Sequence, residues 1–342
     1  MHLFFSWCIV QTAALFANQK LLLNFHTSKM RAELYHGALC LSKVYLLSGR
    51  EVFGAYYDEV LSGSAKRSAQ LLVVDTRKVF ADRLEHWRLW DPLRIVVQEW
   101  NSSDVVLGYF DPRFDQRSLK PKQDEPTFPD MNTSLVDNWQ AVNLDHVDAN
   151  DLAVSVRIEF ADWFTLLPGR DLALLPYAFS FPSLDESAAP AMNHGGLGYR
   201  VASALSRLFT DSYIISPEAG FSIGRSLQCA ANRSGERGNL YPVLRQLEHA
   251  LALEVSLQAY RQRSAASEGY DELLEGFEGY SSAALFFIAA CYSTCLGSER
   301  PFPEAGDDEC DDIFRNVQGF SDAIGCAPGS PMNPFVKCGI LT

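Results

Sequence analysis

Hydrophobic positions along the chain predict a mainly helical protein. Apolar residues recur every three or four positions over 31–48, 64–88 and 241–262, a spacing that gathers them on one helix face. Residues 281–294, SSAALFFIAACYST, are apolar on nearly every face and predict a helix enclosed in a sizeable core.

Strands and loops are predicted between these helices. Residues 152–160 alternate apolar and polar side chains as a half-buried strand does, and 172–179 predict a second strand that Pro176 interrupts. Residues 111–131 are polar and proline-rich, which is typical of a long exposed loop. Ser216, followed by a proline and an acid, predicts the start of a helix.

The segment 192–211, MNHGGLGYRVASALSRLFTD, combines a glycine-rich turn with an amphipathic helix whose apolar face includes Val201 and Leu205. Most such segments are ordinary helices. Its GGLG lacks the lysine and the preceding strand of a phosphate-binding loop. Its interpretation therefore depends on the rest of the chain.

Composition and charge exclude several classes of function. The net charge of −13 argues against nucleic acid or an anionic membrane as the main partner. No apolar run reaches the roughly 18 residues of a transmembrane helix. Residues 1–17, MHLFFSWCIVQTAALFA, have the length of a signal peptide but lack a basic residue before the apolar run, so a buried amphipathic helix is an equal alternative.

Cysteines and glycosylation sequons favour an oxidising, extracellular location. The chain has eight cysteines, which allow roughly 105 pairings by spacing alone. Sequons for N-glycosylation occur at Asn101, Asn132 and Asn232. We expect a secreted glycoprotein with disulfides.

The tail GCAPGSPMNPFVKC, at 325–338, is the most specific pattern in the chain. It resembles the C-terminus C-x-x-G-S-x-M-N-P-x-x-K-C-x-x-W of the neprilysin and endothelin-converting-enzyme family of zinc metalloendopeptidases, although the final tryptophan is missing. Segments 76–110, 241–260 and 284–295 resemble further family segments in the same order. The resemblance covers nearly the whole chain but only about the C-terminal half of the family.

The resemblance implies an α+β fold, predominantly α-helical. A thermolysin-like (gluzincin) peptidase domain is expected over 146–342, after a helical accessory region over 1–145. From the resemblance we expect a chain that is N-terminally truncated relative to the family and that lacks the usual membrane anchor.

The family's zinc helix reads N-x-G-G-I-G-x-V-I-G-H-E-I-T-H-x-F-D, and the segment 192–211 aligns with it. Ser203 stands at the first histidine, Ala204 at the catalytic glutamate and Arg207 at the second histidine. Serine is a poor zinc ligand, alanine offers no base, and a guanidinium stays protonated and repels a cation. The residues in step are Asn193, Gly195, Gly196, Leu197, Gly198 and Phe209.

A second helix supplies the family's third zinc ligand, which is retained here as Glu248. Ala252 replaces the aspartate that orients a zinc-bound histidine. We expect no zinc, although zinc is the family's cofactor, and we expect Arg207 to pair with Glu248 in its place. His194 and His249 are expected to be ordinary histidines rather than substitute ligands.

For the cysteines, the resemblance implies a disulfide between Cys229 and Cys338. The family partners of Cys40, Cys295 and Cys326 lie in the half that this chain does not span. Their pairing, and that of the remaining cysteines, stays open: Cys8, Cys291 and Cys310.

The sequence therefore predicts an inactive peptidase homologue that binds peptides or extracellular proteins in the inherited cleft. One alternative is an active zinc metalloendopeptidase with non-standard ligands. Another is a truncated gene product without a stable fold.

Overall fold

The computed structural model describes the chain in separate stretches. These are residues 20, 29–30, 32–33, 36, 63–87, 105–106, 132–134, 137–138, 164–166, 172–174, 176–179, 181–214, 220–234, 240–267, 270, 276–295 and 309–340. Their helices are α1 (Gly63–Trp87), α2 (Pro190–Asn193), α3 (Tyr199–Ile214), α4 (Gly220–Ser234), α5 (Leu240–Ala266), α6 (Ser282–Cys295), α7 (Glu309–Phe314) and α8 (Gln318–Ile324).

Contacts divide the chain into two compact units. One comprises Met1–Val60 with Leu119–Asp162, and the other comprises Leu61–Ser118 with Trp163–Thr342. In the first unit, Lys29 and Glu33 form an exposed ion pair one helical turn apart, at 3.6 Å. This division differs from the consecutive regions 1–145 and 146–342, whose boundary stays a prediction. All eight helices named above belong to the second unit.

The second unit is built around α5, which packs most extensively against α3 and also contacts α1 and α4. The predicted apolar face of α5 is buried: Leu247, Leu251 and Val255 are each at most 1% exposed. α1 buries Phe80 and Leu84 in the same way. The periodicity thus identified both helices, because a stripe repeating every three to four residues is what one helix buries against another.

A small sheet accompanies these helices. Its strands β1 (Val105–Val106), β2 (Phe164–Leu166) and β3 (Leu172–Leu174) lie in the order β1-β3-β2, with β1 parallel and β2 antiparallel to β3. The strand that was predicted over 172–179, with an interruption at Pro176, extends only over Leu172–Leu174. The chain turns into a 3₁₀-helix at Pro176–Phe179, since proline fixes φ near helical values and cannot donate to a sheet.

α6 forms where the apolar run predicted a helix, but it is not buried on all sides. Phe286 and Phe287 are buried, whereas Ile288 is 45% and Tyr292 is 52% exposed. α6 packs against α2 on one side and α8 on another. Composition alone therefore overestimated its burial.

Several predictions lie outside the described residues, namely the segment 1–17, the loop 111–131, the strand 152–160 and the helix start at Ser216. Of 31–48, the positions that the structure describes are helical. Among the described helices, none combines the length and apolarity that crossing a bilayer requires.

Candidate functional site

The glycine-rich segment forms a π-helical turn, His194–Gly198, between α2 and α3. Its five residues are all buried. A Cβ atom at Gly195 would overlap the Phe286 carbonyl of α6, and one at Gly196 would overlap the Ser183 carbonyl. Glycine is therefore required here by close backbone approach, and the turn fixes where α3 begins.

Hydrogen bonds hold this turn to the preceding segment. The Asn193 side chain donates from Nδ2 to the Asp185 carbonyl at 2.8 Å and accepts from the Asp185 amide at 2.9 Å. The Leu197 amide donates to the Ser183 carbonyl at 2.6 Å. Asn193, which the sequence aligned with the family's first motif residue, thus has a structural role here.

Ser203, at the first histidine position, is buried and contacts α5. Its Oγ lies 3.3 Å from Nδ1 of His249, and the Tyr199 hydroxyl lies 2.7 Å from the same nitrogen. Two hydroxyls from successive turns of α3 therefore converge on one imidazole. Nδ1 of His249 thus has hydrogen-bonding partners on α3, and that His249 is an ordinary histidine stays a prediction.

Glu248, at the retained ligand position, is 2% exposed, and each of its two oxygens has a partner. Thr210 donates to Oε1, and Nη1 of Arg245 donates to Oε2 at 2.5 Å. The structure thus places Arg245 on Glu248, a cation that the sequence analysis did not consider, and the pairing of Arg207 with Glu248 stays a prediction. Arg245 reaches Glu248 because residues three apart on one helix are neighbours whatever the packing between helices.

Arg245 is itself held in a defined orientation. Its Nε and Nη2 atoms donate to the Tyr241 hydroxyl at 3.0 and 2.6 Å, and the guanidinium lies 4.9 Å from the centre of the Tyr241 ring. Burial alone lowers the pKa of Arg245, but the hydrogen bonds and charges of Tyr241 and Glu248 raise it above its usual value. The charge is therefore permanent at any physiological pH.

Ala204 and Ala252, at the positions of the family's catalytic glutamate and orienting aspartate, are fully buried. Their methyl groups stand at positions where the resemblance implies two carboxylates. Arg207 is half-buried and engaged in interactions of its own.

These side chains do not fit a zinc ion. The two histidine positions of the family are occupied by Ser203, which contacts His249, and by Arg207. The carboxylate at the third ligand position, Glu248, has a hydrogen-bond donor on each oxygen. Zinc requires three or four converging nitrogen, sulfur or carboxylate ligands. Within the described stretches, no three His, Cys, Asp or Glu side chains converge in that way. That the chain binds no metal stays a prediction.

His194, inside the π-helical turn, is fully buried. Its Nε2 lies 3.2 Å from the Tyr270 hydroxyl, and Nδ1 has no hydrogen-bond partner. Burial is the main cause that lowers its pKa to about 4, and the charge of nearby Arg263 lowers it further while Asp75 opposes the shift. The imidazole is neutral at pH 7, which suits a core histidine.

Two disulfides join the helices. Cys229 of α4 is bonded to Cys338 of the tail, the pair that the resemblance implies. Cys291 of α6 is bonded to Cys310 of α7, a pairing that the sequence left open. Cys326 carries a free, half-buried thiol.

The sequons at Asn132 and Asn232 are exposed, and Asn101 lies outside the described residues.

Comparison with solved structures identifies the fold. Over 86% of its length the chain matches the zinc metalloprotease Zmp1 of Mycobacterium tuberculosis in its open state, with a TM-score of 0.61 and 14% identity. It matches the inhibitor complex of Zmp1 over 87%, with a TM-score of 0.59 and 15% identity. A galactose-containing glycoprotein complex from Haemonchus matches over 80% of the chain, with a TM-score of 0.52 and 14% identity.

The fold is therefore that of a neprilysin-like zinc metalloprotease, which confirms the predicted resemblance and fold class at the level of the fold. The chain spans about half the length of these structures: 50% of each Zmp1 chain and 51% of the Haemonchus chain. Neither protein-family models nor curated protein sequences match it.

Sequence reasoning missed Tyr199 and Arg245 as members of the site, and it considered His249 only as a possible substitute ligand. Arg245 was visible as a basic residue one helical turn before Glu248. The convergence of Tyr199 on His249 depends on the packing of α3 against α5, and no local pattern in the sequence indicates it.

Proposed function

We propose that this chain is a non-catalytic homologue of neprilysin-like zinc metalloproteases, and that it acts outside the cell by binding peptides or proteins. The observation that carries the proposal is the engagement of Glu248 by Thr210 and Arg245, next to a helix that carries Ser203 and Ala204 at the family's ligand and base positions. No residue there activates a water molecule or holds a metal that would do so.

Loss of catalysis is supported by several independent changes. Peptide hydrolysis by this family requires zinc, a general base and donors that stabilise the developing oxyanion. A base is missing at Ala204, and the second-shell acid is missing at Ala252. A single substitution could be compensated elsewhere, whereas these changes affect the metal, the base and the orienting group together.

A binding role follows from the fold by analogy. A zinc metalloprotease with this fold, Zmp1, has been solved with an inhibitor bound. A homologue that retains such a binding surface without the chemistry would hold peptides and release them unchanged. Extracellular location is supported by the two disulfides and by the exposed sequons at Asn132 and Asn232.

The proposal is tested by incubating the purified protein with a mixture of unstructured peptides and analysing the products by mass spectrometry. We expect peptides to be retained on the immobilised protein and eluted intact. Cleavage that a chelator abolishes would instead establish the alternative, an active zinc metalloendopeptidase with non-standard ligands. Failure to retain any peptide would leave no support for the binding role, and the absence of a cooperative thermal transition would indicate a product without a stable fold.

A further inference from the structure

Glu248 is a carboxylate inside the protein, and its charge requires compensation. Its side chain is 3% exposed, whereas that of Arg245 is 21% exposed. An unpaired charge at such a depth would destabilise the fold strongly. In a zinc protease the metal provides this compensation. The residue that balances the charge of Glu248 in this chain therefore shows which cation has taken the place of the metal.

We propose that Arg245 is a built-in substitute for the metal: its guanidinium balances the charge of Glu248 and closes that carboxylate to any cation from solution. The inference rests on the proposed function in one respect, that Glu248 stands at the position of a metal ligand. It adds that the site has been rebuilt around a different cation.

The surroundings of Arg245 support this assignment. Its three nitrogen atoms are distributed between Glu248 and the Tyr241 hydroxyl, and the Tyr241 ring contacts the guanidinium. Tyr241 therefore orients the Arg245 side chain independently of Glu248, which distinguishes this ion pair from a flexible pair on the surface. All three residues lie on α5, so this cation remains in place if α3 moves.

The contact from α3 completes the arrangement. Thr210 of α3 donates to Oε1 of Glu248 while Arg245 donates to Oε2, so each oxygen of the carboxylate is held by a donor from a different helix. Further along the same interface, Tyr199 and Ser203 bond to His249. Hydrogen bonds thus join α3 and α5 at two places, at Glu248 and at His249.

The first test restores the family's ligands. The triple variant Ser203→His, Ala204→Glu, Arg207→His is compared with the same variant carrying Arg245→Met and Thr210→Val, and zinc affinity is measured by competition with a chromogenic chelator. We expect zinc to bind at least about 10-fold more tightly once Arg245 and Thr210 are replaced. The matched control adds Arg225→Met, an exposed arginine of α4, to the triple variant and should leave its affinity unchanged. Equal zinc affinity with and without the replacements at Arg245 and Thr210 would overturn the proposal.

The second test does not depend on rebuilding a buried helix. Thermal unfolding is compared for Arg245→Met, Arg245→Lys, Glu248→Gln and the double variant Arg245→Met/Glu248→Gln. We expect Arg245→Met to lower the melting temperature, Arg245→Lys to restore part of the loss, and Glu248→Gln to offset the loss when it is added. Additive losses in the double variant would show that the two charges are independent and would overturn the proposal. Stoichiometric zinc in the wild-type protein would contradict both this proposal and the proposed function, whereas additive losses would overturn this proposal alone.

Discussion

The hydroxyl of Thr210 on α3 donates a hydrogen bond to Oε1 of Glu248 on α5, across the most extensive helix interface of the second unit. Thr210 is fully buried, and its Oγ1 also lies 3.1 Å from the Arg207 carbonyl oxygen, so this carbonyl and the Glu248 carboxylate compete for the single hydroxyl proton. The contact joins the two helices that would both hold a metal in an active member of the fold. We therefore expect the packing of α3 against α5 in this chain to depend on the Thr210 hydroxyl rather than on zinc.

Replacing Thr210 by valine removes this hydroxyl and keeps the shape of the side chain. Because a hydrogen bond to a buried carboxylate is lost, we expect the free energy of unfolding to fall by about 1.5–3 kcal/mol. Thr210→Ser is the control, since it retains the donor and should cost less than Thr210→Val. Urea unfolding followed by circular dichroism measures both, and equal losses would show that the hydroxyl is not what stabilises the contact.

Gly195 and Gly224 provide a matched pair of helical glycines. A Cβ atom at Gly195 would overlap the Phe286 carbonyl, whereas one at Gly224 would meet nothing within 4 Å. We expect Gly195→Ala to destabilise the protein by about 1–3 kcal/mol through overpacking. Gly224→Ala should stabilise it by up to about 1 kcal/mol, since alanine favours a helix. A comparison of melting temperatures tests both signs, and a neutral Gly195→Ala would contradict the account of the turn.

Because His194 is buried, we expect the protein to lose stability in mild acid. Its pKa is about 4 in the folded chain, below the ordinary value of 6.5, mainly because of burial. The unfolded chain therefore takes up the proton first, so the stabilisation is complete above about pH 6.5 and decreases towards pH 4, by about 3 kcal/mol. His194→Gln should flatten this part of the curve of unfolding free energy against pH. The same slope in variant and wild type would assign the pH dependence to other groups.

The two disulfides should differ in their contribution to stability. Cys229 and Cys338 are 109 residues apart, whereas Cys291 and Cys310 are 19 residues apart. If the bonds act mainly by restricting the unfolded chain, their removal costs about 5 and about 3 kcal/mol respectively. Paired Cys→Ala variants at each site, measured by guanidinium unfolding, test the order. A larger loss for the Cys291–Cys310 pair would indicate that native contacts of α6 and α7 dominate.

The fold was predictable where the information is local. The spacing of Leu247, Leu251 and Val255 identified α5, and the family motif at 325–338 led to the correct class of fold. Burial was less predictable for α6, because Ile288 and Tyr292 are as hydrophobic as their buried neighbours and only the packing decides which face is covered.

The replacement of the family's site residues could be predicted from the sequence, but the contacts that Glu248 and His249 make in this chain could not. Ser203, Ala204 and Arg207 could be recognised as replacements by aligning a motif. Arg207 was predicted to pair with Glu248 because it stands at a ligand position, whereas Arg245, which reaches the carboxylate from one helical turn away, was not considered. The convergence of Tyr199 and Ser203 on His249 depends on the relative position of two helices, which the sequence does not encode locally.

The metal content of the purified protein tests the central claim most directly. The protein is expressed with zinc in the medium, dialysed without chelator and analysed by inductively coupled plasma mass spectrometry, alongside its thermal unfolding with and without a chelator. We predict less than about 0.1 zinc per chain and an unchanged melting temperature, because Arg245 and Thr210 already engage Glu248. About one zinc per chain, with a melting temperature that falls when the metal is removed, would contradict the account.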